Sequence, residues 1–181
     1  MDLTGKLRHV PGFPKPGIDF IDITTLLQDA EAFREAVGAM IEAAGRFGPF
    51  DCVVSPEARG FIFGAPLALA LGKGFVQARK AGKLPSATVS YEYELEYGMA
   101  SIEMHADSIM PGSAALIVDD LLATGGTGLA IAHLIEKMGG SVAGFLAFAE
   151  LDYLSGAAQI APYRCESVLK VGDAAPERRR C

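Results

Sequence analysis

Ile117-Val118-Asp119-Asp120-Leu121-Leu122-Ala123-Thr124-Gly125-Gly126-Thr127 is the stretch that decides the reading of this chain. Upstream, Ala114 to Val118 is a continuous apolar run ending in two aspartates; downstream, a helix is expected to about Met138 and a second buried strand over Ser141 to Ala149. Strand, loop, helix and strand make a βαβ unit, and strands apolar at every position belong to a parallel sheet covered on both faces. The loop, Ala123 to Thr127, holds two glycines and two threonines, so that backbone N–H groups, hydroxyls and the helix dipole converge on one point. A phosphate fits there. Asp119 and Asp120 cannot serve the same phosphate, because like charges repel; ionised at neutral pH, they suit sugar hydroxyls, a magnesium-associated ribose or a developing cation. No Gly-Lys-Ser/Thr follows the glycines, as ATP hydrolysis would need, and Ile131 stands where a dinucleotide fingerprint requires its third glycine.

The same alternation extends outward. Asp51 to Ser55 is a short apolar strand, Gly60 to Leu71 a helix that closes near Gly72, and Phe75 to Ala78 another strand. Thr88 to Leu95 alternates Val89, Tyr91, Tyr93 and Leu95 with polar residues, the period of a half-exposed strand, and Ala100 to Met104 is its expected hairpin partner. Glu31 to Arg46 spaces Phe33, Val37, Met40, Ile41 and Ala44 as an amphipathic helix. Ahead of it, Pro11 to Gly17 is a shaped loop, because its three prolines lack N–H donors. In such a sheet ligands bind beyond the carboxyl ends of the strands. The site is therefore expected in the loops after Ser55, Ala78 and Val118.

The whole chain bounds the function. Its 181 residues suit a single domain over 1–181, with 50% hydrophobic residues for a core. No apolar stretch is long enough to span a bilayer, and Met1 to Val10 lacks the pattern of a secretory signal. Cys52, Cys165 and Cys181 fit neither a disulfide framework nor a zinc site, so a reducing, cytoplasmic setting is expected. A net charge of −6 argues against a nucleic-acid surface and for a small anionic partner. His9, His105 and His133 lack metal spacing, Arg178 to Arg180 reads as a solvated tail, and the six methionines read as core filler.

The eleven-residue string resembles the signature with which type I phosphoribosyltransferases bind phosphoribosyl pyrophosphate (PRPP). The resemblance runs from Pro11 to about Glu150, through Pro14-x-Pro16-Gly17-x-x-Phe20-x-Asp22-Ile23, Glu57-Ala-Arg-Gly-Phe-Ile-Phe-Gly64, Arg79-Lys-x-Gly-Lys-Leu-Pro85 and Leu95-Glu-Tyr-Gly98. The last three segments are similar to those of the members that use adenine. The family implies an α/β fold: a parallel central sheet flanked by helices, a small N-terminal hood and a flexible hairpin loop. It also implies a pentosyltransferase that passes ribose 5-phosphate from PRPP to adenine, giving AMP and pyrophosphate, with Mg²⁺ carried by PRPP rather than ligated by the protein, in a homodimer. Transfer to hypoxanthine, guanine or xanthine, or a PRPP-sensing regulator without catalysis, are the alternatives.

Carried over position by position, the resemblance puts the 5-phosphate of PRPP on Ala123, Thr124, Gly125, Gly126 and Thr127 and its ribose hydroxyls beside Asp119 and Asp120. The loop of Ala58 and Arg59 takes the pyrophosphate, often with a strained peptide bond before the arginine. A guanidinium beside helix-start N–H groups suits that anion independently. Arg79, Lys80 and Lys83 reach phosphate groups, and Arg79 could serve the neighbouring subunit. Glu96 matches the acidic residue that handles the base's proton, and Tyr97 packs over the substrates. The purine lies against Phe20 and the backbone from Ile18 to Ile21, with Ala58 opposite. Ile21 stands where the family usually has Arg or Lys, Asp19 where an apolar residue is frequent, and Ser155 to Ile160 replaces a more basic segment.

Overall fold

In the computed structural model, which describes residues 1–95 and 98–172, seven strands form one sheet in the order β5-β6-β4-β3-β7-β8-β9. Five of them, β3 (Cys52–Pro56), β4 (Gly74–Lys80), β7 (Ala114–Leu122), β8 (Ser141–Leu151) and β9 (Cys165–Val171), are mutually parallel. The hairpin of β5 (Thr88–Leu95) and β6 (Gly98–His105) adds two antiparallel strands at one edge, Arg79 pairing with Glu103. The sheet is thus mixed, its parallel part being the expected one. It is mixed because a hairpin, unlike a βαβ crossover, reverses the chain within a few residues.

Two cores explain why the inner strands read as apolar throughout. Leu116 and Val118 of β7 face helix α2 (Ala30–Ala44) and helix α3 (Gly60–Leu71), where Met40, Phe63 and Leu67 are buried; Phe63 stacks on Phe148 of β8 at 4.7 Å. Ala115 and Ile117 face the opposite way, onto Ile131, Leu134 and Ile135 of helix α4 (Gly126–Lys137). Alternate side chains leave opposite faces of a strand, so a strand between two helical layers needs apolar residues at every position. Met40 and Met104 lie in these cores, but Met1 and Met110 are exposed, which corrects the expectation that all the methionines fill the interior.

Strand β7 runs through Asp119 and Asp120 to Leu122 instead of stopping before them. It can do so because Asp119, Leu121 and Leu122 keep pairing with Ala147, Ala149 and Glu150 of β8. A ribbon of β1 (Arg8–Pro11) and β2 (Asp19–Asp22), followed by the single turn α1 (Thr24–Leu27), forms the N-terminal hood. Helix α2 is started by Asp29, whose carboxylate accepts from the N–H groups of Glu31 and Ala32 and pairs with Lys6 at 2.7 Å. The short α5 (Gly156–Ile160) links β8 to β9. No helix among the described residues is long and apolar enough to cross a membrane.

Candidate active site

The loops after β3, β4 and β7 meet at one end of the sheet. Ala123 to Gly125 leave β7 and open α4; Gly125 has φ 83°, the left-handed conformation that glycine adopts without steric penalty, and this points the first turn of α4 at the opening. Asp119, Leu121, Leu122 and every residue from Ala123 to Gly128 line a cavity of about 100 Å³. Pro56 and Thr127 line it too and also border a second, wider cavity of about 410 Å³, whose walls include Glu57, Lys80, Tyr93 and Ser101. The glycine-rich loop and Asp119 on one side, and Lys80 and Tyr93 on the other, thus border two cavities that share Pro56 and Thr127.

The two aspartates differ. Asp120 is 3% exposed, and its Oδ2 lies 3.0 Å from Nε of Arg59. That contact meets the ion-pair distance but not the angular demands of a hydrogen bond, so Oδ2 is also a buried oxygen without a hydrogen-bond partner. The pair attracts nonetheless, since Coulomb attraction has no directional requirement. Burial raises the Asp120 pKa, and Arg59 opposes it. Burial, and then the neighbouring Asp120 charge, push Asp119 well above the ordinary carboxylate range. The two carboxyls thus differ in what acts on their charge: Arg59 favours it on Asp120, while burial and the Asp120 charge disfavour it on Asp119. Oδ1 of Asp119 accepts from the Asp120 N–H at 2.8 Å and also nears the first turn of α3, where a Cβ on Gly60 would stand 2.9 Å away.

Arg59 has a second neighbour. Its guanidinium carbon lies 5.3 Å from the centroid of Phe20, within cation–π range, and Phe13 meets Phe20 edge-on at 5.2 Å. Phe13 and Phe20 thus adjoin Asp120 through Arg59. Ile21, next to Phe20 but on the opposite face of β2, is 2% exposed and packs in the core, so only its backbone is open to a base. Asp19 shares its Oδ2 with Nδ1 of His9 at 2.6 Å. The Glu57–Ala58 peptide before Arg59 is cis, and Ala58 is exposed.

The basic turn is fastened from beneath by acids that sequence reasoning missed. Glu57 Oε2 accepts from Nε of Arg79 at 2.7 Å and Oε1 from the Lys80 N–H at 3.1 Å, while Arg79 also donates to the Lys83 carbonyl at 3.2 Å. Burial alone would raise the Glu57 pKa, but the Arg79 and Lys80 bonds outweigh it and hold it low. Arg79 is accordingly tied within its own chain. Glu103, 6% exposed, accepts from the N–H groups of Lys83 and Leu84 at 3.2 Å each and from the Thr88 hydroxyl at 3.3 Å. These bonds leave the ammonium groups of Lys80 and Lys83 on the exposed side of the turn. A signal existed in Ile102-Glu103-Met104, where a carboxylate interrupts an apolar pair.

The hairpin leans over α4: Tyr91 lies 4.9 Å from the half-buried ring of His133, and Tyr93 Oη is 3.4 Å from the Thr127 hydroxyl. Glu96 and Tyr97, expected to handle the base's proton and to cover the substrates, lie outside the described residues, as does the tail with Arg178 to Arg180. Among the described residues no group of three or more His, Cys, Asp or Glu could hold a metal ion.

Residues 24–171 match the model of the phosphoribosyl transferase domain. The chain is 55% identical over 170 residues to the adenine phosphoribosyltransferase of Acetivibrio thermocellus, covering 94% of this chain and 99% of that one. To that of Ruminiclostridium cellulolyticum it is 56% identical, with the same coverage. Among solved structures, adenine phosphoribosyltransferase from Thermoanaerobacter pseudethanolicus superposes with a TM-score of 0.91 at 48% identity, covering 94% of this chain and 98% of the other. The Saccharomyces cerevisiae enzyme, solved with adenine and an imino-altritol bisphosphate, has a TM-score of 0.86 at 37% identity over 93% of this chain and 97% of its own.

Proposed function

The chain belongs to the adenine phosphoribosyltransferases of the phosphoribosyl transferase family, and from that premise we propose how its residues carry the reaction. It transfers ribose 5-phosphate from PRPP to adenine, a purine-salvage glycosyl transfer that yields AMP and pyrophosphate. The 5-phosphate rests on Ala123 to Thr127, where main-chain N–H groups and two hydroxyls can meet its oxygens. The ribose hydroxyls lie beside Asp119 and Asp120, and the pyrophosphate faces Arg59, Lys80 and Lys83. Adenine stacks on Phe20, and the backbone around Ile21, with Ala58, closes its pocket. The observation that carries this assignment is that Asp119, whose neighbour Asp120 pairs with Arg59, borders one cavity together with the glycine-lined loop from Ala123 to Gly128.

The C1–O bond to pyrophosphate breaks with its electrons leaving on oxygen, and the N9 lone pair forms the C1–N9 bond. The transition state between them has oxocarbenium character, and carboxylate charge at Asp119 and Asp120 stabilises it. Glu96 takes the N9 proton, and Tyr97 helps exclude water. PRPP itself, through its diphosphate and hydroxyl oxygens, is the group that would hold Mg²⁺, which favours oxygen donors and keeps several waters. Asp119, on the cavity wall, is an oxygen donor of the kind such an ion favours. Bound there, the ion would neutralise charge on the departing diphosphate.

We read residues 1–181 as one catalytic domain, active as a homodimer in the cytoplasm and acting on small molecules rather than nucleic acid. Support for the dimer comes from α3, which is apolar on all sides and leaves Leu69 84% exposed beside Ala65 and Ala70. Cys52 and Cys165 are free thiols, in keeping with a reducing compartment. Radiolabelled adenine incubated with PRPP and Mg²⁺, in competition with hypoxanthine, guanine and xanthine, tests the function. Label should appear in AMP and resist the other bases; no AMP, or preference for another base, would refute it.

A further inference from the structure

A phosphate cradle made of main chain cannot adjust by changing rotamers, so its position depends on what packs behind it. Behind Ala123 to Gly125 lies α5. A Cβ placed on Gly156 would stand 2.2 Å from the Ala123 carbonyl oxygen and 3.1 Å from Leu122 Cδ1. Conversely, a Cβ on Gly125 would stand 2.9 Å from the Gly156 carbonyl oxygen and 3.0 Å from Ile160 Cγ1. The two segments thus interlock, each fitting its glycine against the other's carbonyl. Gly156 and Ile160 are buried, whereas Ala158 and Gln159 between them are exposed.

The approach to this contact is itself unusual. Ser155, immediately before Gly156, has φ 54° and ψ 31°, and it is the one non-glycine residue among those described with positive φ. Side-chain-bearing residues occupy that region only where the surrounding structure holds them in it. Here the turn brings α5 against the loop, and no residue of α5 is among those that line the cavity of Ala123 to Thr127.

We infer that α5 is a positioning element for the phosphate loop, with Gly156 the positioning residue that sets how far Ala123 and the N–H groups after it project into the site. Gly156 touches no substrate and acts through Ala123. The inference rests on reading Ala123 to Thr127 as the cradle of the PRPP 5-phosphate. A methyl at position 156 must displace the loop from α5, because the nearest atom it meets, the Ala123 carbonyl oxygen, belongs to backbone.

The test is calorimetry of PRPP with Mg²⁺, together with steady-state kinetics, on the full wild-type chain and on Gly156→Ala. The variant should bind PRPP about tenfold more weakly and raise its KM to match, the size expected of a core overpacked by one methyl. Its kcat and its KM for adenine should change far less, a split that a merely structural role would not produce. Should Gly156→Ala fail to fold, Ile160→Val, which thins the packing under Gly125 without adding bulk, should raise the KM for PRPP about threefold. An unchanged KM for PRPP in folded Gly156→Ala, or in Ile160→Val where the first does not fold, overturns the inference. Failure of the wild-type chain to bind PRPP would instead overturn the reading of the loop.

Discussion

Asp119 and Asp120 are neighbours in sequence but occupy different electrostatic surroundings. Asp120 has Arg59, whereas Asp119 has burial and a like charge beside it, and its pKa rises well above 3.8. An acid whose folded pKa exceeds its unfolded one makes the folded chain bind more protons between those two values, so stability falls as pH rises through that window. Asp119→Asn, which cannot ionise, should flatten the decline. Urea unfolding of both chains from about pH 4 upward checks this, and an identical slope in the two would count against it. In the PRPP-bound site, where a developing positive charge favours the ionised form of Asp119, the same substitution should lower kcat about a hundredfold or more. Both aspartates were legible in the sequence because they end an apolar run. Their unequal surroundings were not, because these depend on Arg59 arriving from the end of a different strand.

At the scale of elements, the hairpin and the basic turn form a unit held by Glu57 and Glu103. Glu103→Ala removes the acceptor for the Lys83 and Leu84 amides. Those amides should lose protection in hydrogen exchange, and the KM for PRPP should rise about tenfold, in line with about 1–3 kcal/mol for bonds to a charged group. Unaltered exchange at Lys83 and Leu84 would show the turn to be held otherwise. Helix α3 and strand β5 were legible to the residue, since Gly72 stops one and strict alternation defines the other. Glu103 escaped notice because a carboxylate in a strand ordinarily signals a solvated face. Here the turn over 81–85 folds back to cover it, a consequence of tertiary pairing between β4 and β6. The packing of α5 against the phosphate loop was hidden for the same reason.

For the whole molecule, the continuous apolar strands announced a sheet covered on both faces, and the candidate site lies at the strand ends where such sheets bind ligands. What the sequence could not show is the occupant of the outer face of α3. Its apolar residues look alike whether they meet the sheet or another chain. Sedimentation equilibrium should find the wild-type chain dimeric and Leu69→Arg shifted to monomer, because a guanidinium placed in an apolar interface loses its hydration; a monomeric wild type would remove the homodimer. The central claim remains the cradle beside the carboxylates. Its most direct test follows the backbone amide resonances of nitrogen-15-labelled protein during titration with PRPP and Mg²⁺. Saturable shifts concentrated at Ala123 to Thr127 and at Asp119 and Asp120 are expected, and saturation that leaves those amides unmoved would contradict the account.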